Sequence, residues 1–214
     1  MTILAPAGAG PPSRLRLWPL GAGLLLLAGL WFGPLPGLAA VSFSSHMILH
    51  LGVALIAAPL VAIGLLRAGL GPPRGLPVVA GLGAAVFEMA VVWGWHAPAP
   101  HEAAAREGAI FVLQQASFLA AGMAVWAVAF GGRGRAEAGI GALVMLATFA
   151  HMAMLGVLLT LPGHLLYPPD ICGGAFGLSP LEDQRLGGTL MAVGGGLPYL
   201  GGGLVLLHRL IEGR

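Results

Sequence analysis

Charge is what this chain has least of. Asp, Glu, Lys and Arg make up only 8% of its 214 residues, where a soluble domain carries about 25%. Lysine is absent, and ten arginines supply all the fixed positive charge. No basic cluster is available to follow a phosphate backbone, which excludes nucleic acid as a partner. The single cysteine, Cys172, excludes an intrachain disulfide and any Cys-x-x-Cys thiol–metal or redox motif. No stretch reads as a phosphate loop, a nucleophile elbow or a hydrolytic triad, so the protein is not expected to be an enzyme.

What fills the chain instead is apolar. Hydrophobic residues make up 57% of it, and 36 glycines suit close helix contacts in a bilayer. Apolar runs at about 17–38, 46–66, 76–95, 109–130, 139–161 and 186–207 are each long enough to cross some 30 Å of hydrocarbon. The expected fold is all-α: a polytopic membrane helical bundle of about six transmembrane helices, forming one domain over residues 17–210. A cleaved signal peptide competes for the first run, because Arg14 and Arg16 precede it and small residues close it. Its length favours a retained helix. Arg14, Arg16, Arg67, Arg74, Arg133, Arg135, Arg209 and Arg214 fall on one side of this topology, and only Arg106 and Arg185 on the other. That bias makes both termini cytoplasmic, residues 1–16 a cytoplasmic segment and residues 163–185 an extracytoplasmic loop.

Polar side chains inside such a bundle are costly and face its interior. His46 and His50, four residues apart, lie on one helix face and could offer two nitrogens to one metal. The plainer alternative is an interfacial His46 and a His50 that makes one interhelical hydrogen bond. Glu88 and His151 each lie some 10–12 residues from the same membrane face, near the midplane by the 1.5 Å rise per residue. A contact between them would reconcile both burials, whether as support for a metal site, a proton relay or a helix clasp. His96 ends its span just before Ala97-Pro98 and can ligate, cap the last carbonyls or sit exposed. His101 and His164 fall in predicted loops. Asp183 precedes the last span and is expected to cap it.

Several pieces together resemble the caa3-type cytochrome c oxidase assembly factor family. They are His46-Met47-Ile48-Leu49-His50 with Ala58-Pro59-Leu60, and Trp95-His96-Ala97-Pro98 followed by Glu102-Ala103-Ala104. Ala153-Met154-Leu155-Gly156 through Leu159-Thr160, and Leu166-Tyr167-Pro168, extend the likeness. Leu181-Glu182-Asp183-Gln184 with Gly187-Gly188 and Met191 completes it, over roughly residues 40–195. The resemblance implies a multi-pass protein of the bacterial cytoplasmic (inner) membrane, a copper chaperone that assists maturation of a haem–copper oxidase. Its polar landmarks correspond here to His46, His50, His96, Asp183 and Gln184. Members often carry an acidic residue and a histidine where this chain has Gln114-Gln115, and they commonly have seven spans.

The resulting expectation is copper, as Cu(I), held by His46, His50 and His96. Glu88 and His151 lie beneath as a deep polar pair, and Gln114, Gln115, Asp183 and Gln184 serve structure or partner contact. The partners would be a copper donor protein and an oxidase subunit within the lipid bilayer, with homo-oligomers through a bridging metal left open. One rival is a membrane b-type haem or quinol-linked electron carrier using His50 and His151 as axial ligands. A second rival is a proton-coupled ion transporter using Glu88 and His151.

Overall fold

The computed structural model describes residues 17–73, 78–132 and 134–212. The expected cytoplasmic segment 1–16, and Arg74, Arg133 and Arg214 with it, lie outside the described residues. Within them the chain is helical, connected by turns and one long loop. The helices are α1 (Trp18–Phe32), α2 (Leu35–Ala39), α3 (Phe43–Leu51), α4 (Ala58–Arg67) and α5 (Val78–His96). They continue as α6 (Pro98–Arg106), α7 (Gly108–Gly131), α8 (Arg135–Thr160), α9 (Pro180–Thr189) and α10 (Leu197–Glu212).

Among the described residues, five helices are long and apolar enough to cross a membrane: Phe43–Arg67, Val78–His96, Gly108–Gly131, Arg135–Thr160 and Pro180–Glu212. The first apolar run departs from the expected 17–38 span. It breaks after Phe32, where Gly33 is extended and Pro34 and Pro36 lack the N–H groups that would continue the ladder. What remains is a 15-residue helix of about 22 Å, packed along α4, and a one-turn helix.

Two of the crossings contain a π-helical turn, at Gly52–Ala57 between α3 and α4 and at Leu190–Gly195 between α9 and α10. Each precedes a proline, Pro59 or Pro198. A proline inside a helix takes a donor from the carbonyl four residues back and crowds it, and a widened turn absorbs the mismatch. The first π turn begins two residues after His50, so the two histidines sit on regular helix immediately before the register shifts.

Two further boundaries shift from expectation. The connection after α5, read as a loop, contains α6: Ala97 is extended and Pro98 opens the helix. The last crossing begins at Pro180 rather than near 186. A capping box at Ser179 and Glu182 starts it, with the Ser179 N–H donating to Glu182 Oε2 at 2.9 Å.

α5 packs on α7 and α8, α7 on α4, and α10 and α9 on α8. The approach of α9 to its neighbours is very close at Gly187 and Gly188. A Cβ at Gly187 would stand 2.5 Å from the Phe43 ring, and one at Gly188 2.8 Å from the Thr160 backbone nitrogen. Small residues here bring α3, α8 and α9 together at the end of the bundle where α6 and the 161–179 loop also lie.

A candidate metal centre at one end of the bundle

The site begins with the placement of α3. Asp183, fully buried on α9, accepts from the Phe43 backbone N–H at 2.7 Å and from Ser42 Oγ at 3.0 Å. It also accepts from the Ser44 hydroxyl and, at 3.4 Å, from the Ser44 N–H. Asp183 therefore caps α3 across the bundle, not its own helix, whose first turn Ser179 and Glu182 already serve. A carboxylate at an N-terminus satisfies orphan donors and complements the helix dipole. Gln184, beside it, accepts from Leu166 N at 2.7 Å and donates to the His164 carbonyl at 3.3 Å. The Tyr167 hydroxyl donates to the His96 carbonyl at 2.8 Å. These bonds tie the 161–179 loop over the ends of α3 and α5.

Beneath that cover four imidazoles meet. His46, His50, His96 and His101 are each at most 4% exposed. Ring centroids are 4.7 Å apart for His46 and His101, 5.8 Å for His46 and His96, and 5.3 Å for His50 and His96. Phe118 of α7 closes the deep side, 4.0 Å from His50, while Phe43 and Tyr167 flank His101. His101 lies outside the expected ligand set, because the prolines around it give its segment the pattern of a loop, whereas it sits on helix α6. Pro98 followed by Glu102-Ala103-Ala104-Ala105-Arg106 is the helix signal that could have placed it.

The hydrogen bonding of these rings is incomplete. His46 Nε2, both nitrogens of His50, His96 Nε2 and His101 Nδ1 have no hydrogen-bond partner among the described residues. His96 Nδ1 lies 2.6 Å from the Val92 carbonyl, which can only accept. The proton is therefore on Nδ1, and Nε2 presents a lone pair, the arrangement that orients a metal-binding imidazole. Burial, and then neighbouring His96, hold the His101 pKa down to about 3. His101 is thus neutral and nucleophilic at physiological pH.

The spacing suits a metal more than a proton. Bonds of about 2 Å to one ion put the ring centroids of two imidazole ligands roughly 5–6 Å apart, the range of the His46–His96 and His50–His96 contacts. Among the described residues, no three His, Cys, Asp or Glu side chains already converge on one point. The rings lie at ligand spacing while their lone pairs do not yet share a focus.

Other expected residues take different positions. Glu88 Oε2 and His151 Nε2 approach to 2.6 Å, joining α5 to α8. At that distance the carboxylate and the imidazole are in direct contact and are each other's partner across the two helices. Gln114 and Gln115 are buried, with Gln115 Nε2 donating to Gln114 Oε1 at 3.3 Å. Gln114 stands one helical turn from Phe118 on the same face of α7. Met47 packs against Gly187. His208 pairs with Glu212 at the other end of the chain's last helix, at 3.1 Å. An apolar groove of about 490 Å³ lies between α1, α4 and α7, but none of the histidines lines it.

Cys172 completes the outer edge of the cluster. It is fully buried, with Sγ 4.0 Å from His101 Nε2. Burial, and then Asp183 and Asp170, push its thiol up to about 12. Its position beside His101 had no sequence signal, because the loop that carries it has no regular periodicity.

The fold defines a multi-pass helical membrane protein with a buried nitrogen-rich cluster near one end. The chain belongs to the cytochrome c oxidase caa3 assembly factor family (Caa3_CtaG), which it matches over residues 4–212. No curated protein and no solved structure gave a match. It is accordingly a caa3-type cytochrome c oxidase assembly factor of the inner membrane, and assembly factors of this family are not catalytic enzymes.

Proposed function

We propose that this assembly factor receives Cu(I) on the extracytoplasmic side and passes it to a metal centre of an oxidase subunit. His46, His50 and His96 form the holding site. The observation that carries this reading is the set of buried, unpaired imidazole nitrogens at ligand spacing with no free acid among them. Buried polar groups in a folded protein are nearly always bonded, so orphaned lone pairs mark a place where something binds. Imidazole suits copper, and an all-nitrogen site held by rings that must rotate into focus binds the cargo without trapping it.

The arginines support the orientation. Arg67, Arg135 and Arg209 lie at the end of the bundle away from the histidines, and Arg106 and Arg185 at the histidine end. With α1 counted as a sixth crossing, both termini face the cytoplasm. A copper donor protein and the oxidase subunit would then meet the histidine end. The haem reading is weaker, because His151, its second axial ligand, already engages Glu88.

Anaerobically purified protein tests the proposal by metal analysis, an absorption spectrum and X-ray absorption. The expected result is imidazole-bound Cu(I), lost in a His46→Ala/His50→Ala variant. Retention in the variant of copper bound by nitrogen alone, with no sulfur neighbour, overturns the assignment. A Soret band assigns haem instead. Neither metal, with proton-coupled flux lost in Glu88→Gln, assigns transport.

A further inference from the structure

The histidine cluster extends one residue further than a nitrogen-only site requires. His101 presents its ring between His46 on one side and Cys172 on the other. The Sγ to Nε2 distance of 4.0 Å is long for a hydrogen bond, even to sulfur. It is close to the sum of a metal–thiolate bond of about 2.3 Å and a metal–imidazole bond of about 2.0 Å. An ion placed between the two atoms would be nearly linear and two-coordinate after a shift of a few tenths of an ångström. A soft thiolate with one imidazole selects Cu(I) among the common metals. Two donors form a complete site for that ion, so the absence of a converged three-residue group does not bear on it.

We propose that Cys172 Sγ and His101 Nε2 form a second Cu(I) station, outside the His46, His50 and His96 site. The inference rests on the copper reading above and deepens it. Cys172 is flanked in the loop by exposed Asp170 and Gly173, so this station stands between bulk water and His46. The 4.7 Å contact of His101 with His46 then makes His101 the shared ring. With Nε2 bound to the ion, His101 Nδ1, buried and without a partner among the described residues, carries the ring proton, so the ion leaves Nε2 for a lone pair of His46 and is not handed across the ring. Copper passes from the thiolate–imidazole pair to His46, and onward to His96 and His50, or in reverse.

The step balances without a redox partner. Cu(I) replaces the thiol proton of Cys172, and that proton leaves to the aqueous side as the Cu–S bond forms. When the ion moves to His46, the Cu–S bond breaks and the thiolate takes up a proton again. Copper stays Cu(I) throughout. His101 acts as ligand, and the loop bonds of Gln184 and Tyr167 hold the sulfur within reach.

X-ray absorption on the full-length protein loaded with Cu(I) in detergent tests this directly. The expected spectrum contains a sulfur scatterer at thiolate distance in the wild type. It persists in His46→Ala/His50→Ala and disappears in Cys172→Ser. A sulfur shell that survives Cys172→Ser comes from methionine and overturns the station, as does copper bound by nitrogen alone in the wild type. No copper in the wild type defeats the holding site as well, so the two failures are distinguishable. Because the chain has one cysteine, maleimide labelling gives a second readout on the unaltered protein. Cu(I) should slow labelling of Cys172 at least ten-fold, and unchanged labelling in copper-loaded protein contradicts the proposal.

Discussion

The bundle buries two polar regions, and they are chemically unlike. At mid-depth an acid faces a base: Glu88 and His151 stand 2.6 Å apart and compensate one another. At the loop-covered end four bases meet, and the carboxylate on their flank, Asp183, is committed to the N-terminus of α3. An acid–base pair can close on itself and stay dry. Neutral imidazoles could pair N–H to N, but this group does not: five of its ring nitrogens have no partner among the described residues, and lone pairs are left open. The first region is able to serve as a clasp between helices, whereas the second needs an electrophile to be complete. That contrast is why copper is assigned to the histidine end and not to the deep pair.

The largest effect expected from breaking the contrast falls on the deep pair. Glu88→Ala leaves His151 buried against an empty acceptor site and should destabilise the protein by about 3–5 kcal/mol. Unfolding in detergent would check this, and nitrogen-bound copper should survive wherever the fold does. Asp183→Asn weakens several charge-assisted bonds at once and is expected to cost about 2–3 kcal/mol. It should also loosen copper, because α3 loses its anchor, and a metal competition titration reads that second effect.

Acid sharpens the comparison further. His101 has a folded pKa of about 3 against an ordinary 6.5, so between those values the unfolded chain binds more protons. The stability it confers is complete above pH 6.5 and declines as pH falls toward 3, by about 2 kcal/mol at pH 5. Melting of metal-free protein from pH 7 to 5 should show this loss, and His101→Phe should reduce it. The smallest effect belongs to Gln184→Ala. Releasing Leu166 and the His164 carbonyl should cost about 1 kcal/mol, seen as faster maleimide labelling of Cys172.

Much of this arrangement was legible in the sequence, and the losses have identifiable causes. The pairing of His46 with His50 follows from helix periodicity alone. Counting 1.5 Å per residue put Glu88 and His151 at one depth, and the structure has them in contact. Local pattern failed where long-range contacts decide. Asp183 sits where a cap for its own helix is expected, but Ser179 and Glu182 leave it available to α3. His101 was hidden because a nine-residue helix between two spans has too few turns to show a period. Both π turns arise from prolines whose presence is plain, though the form of the adjustment is not. The 15-residue length of α1 follows from Pro34, whose break the apolar composition around it conceals.

The comparison of regions reduces to one experiment on a Cys172→Ser background, which removes the sulfur and leaves only the imidazoles to bind copper. Cu(I) competition titration would be run on this protein carrying either His46→Ala/His50→Ala or Glu88→Gln. The histidine pair variant should lose affinity by more than about 100-fold, while Glu88→Gln should stay within about three-fold of its parent. Equal losses in the two variants, or a greater loss in Glu88→Gln, would contradict the assignment of copper to the histidine end.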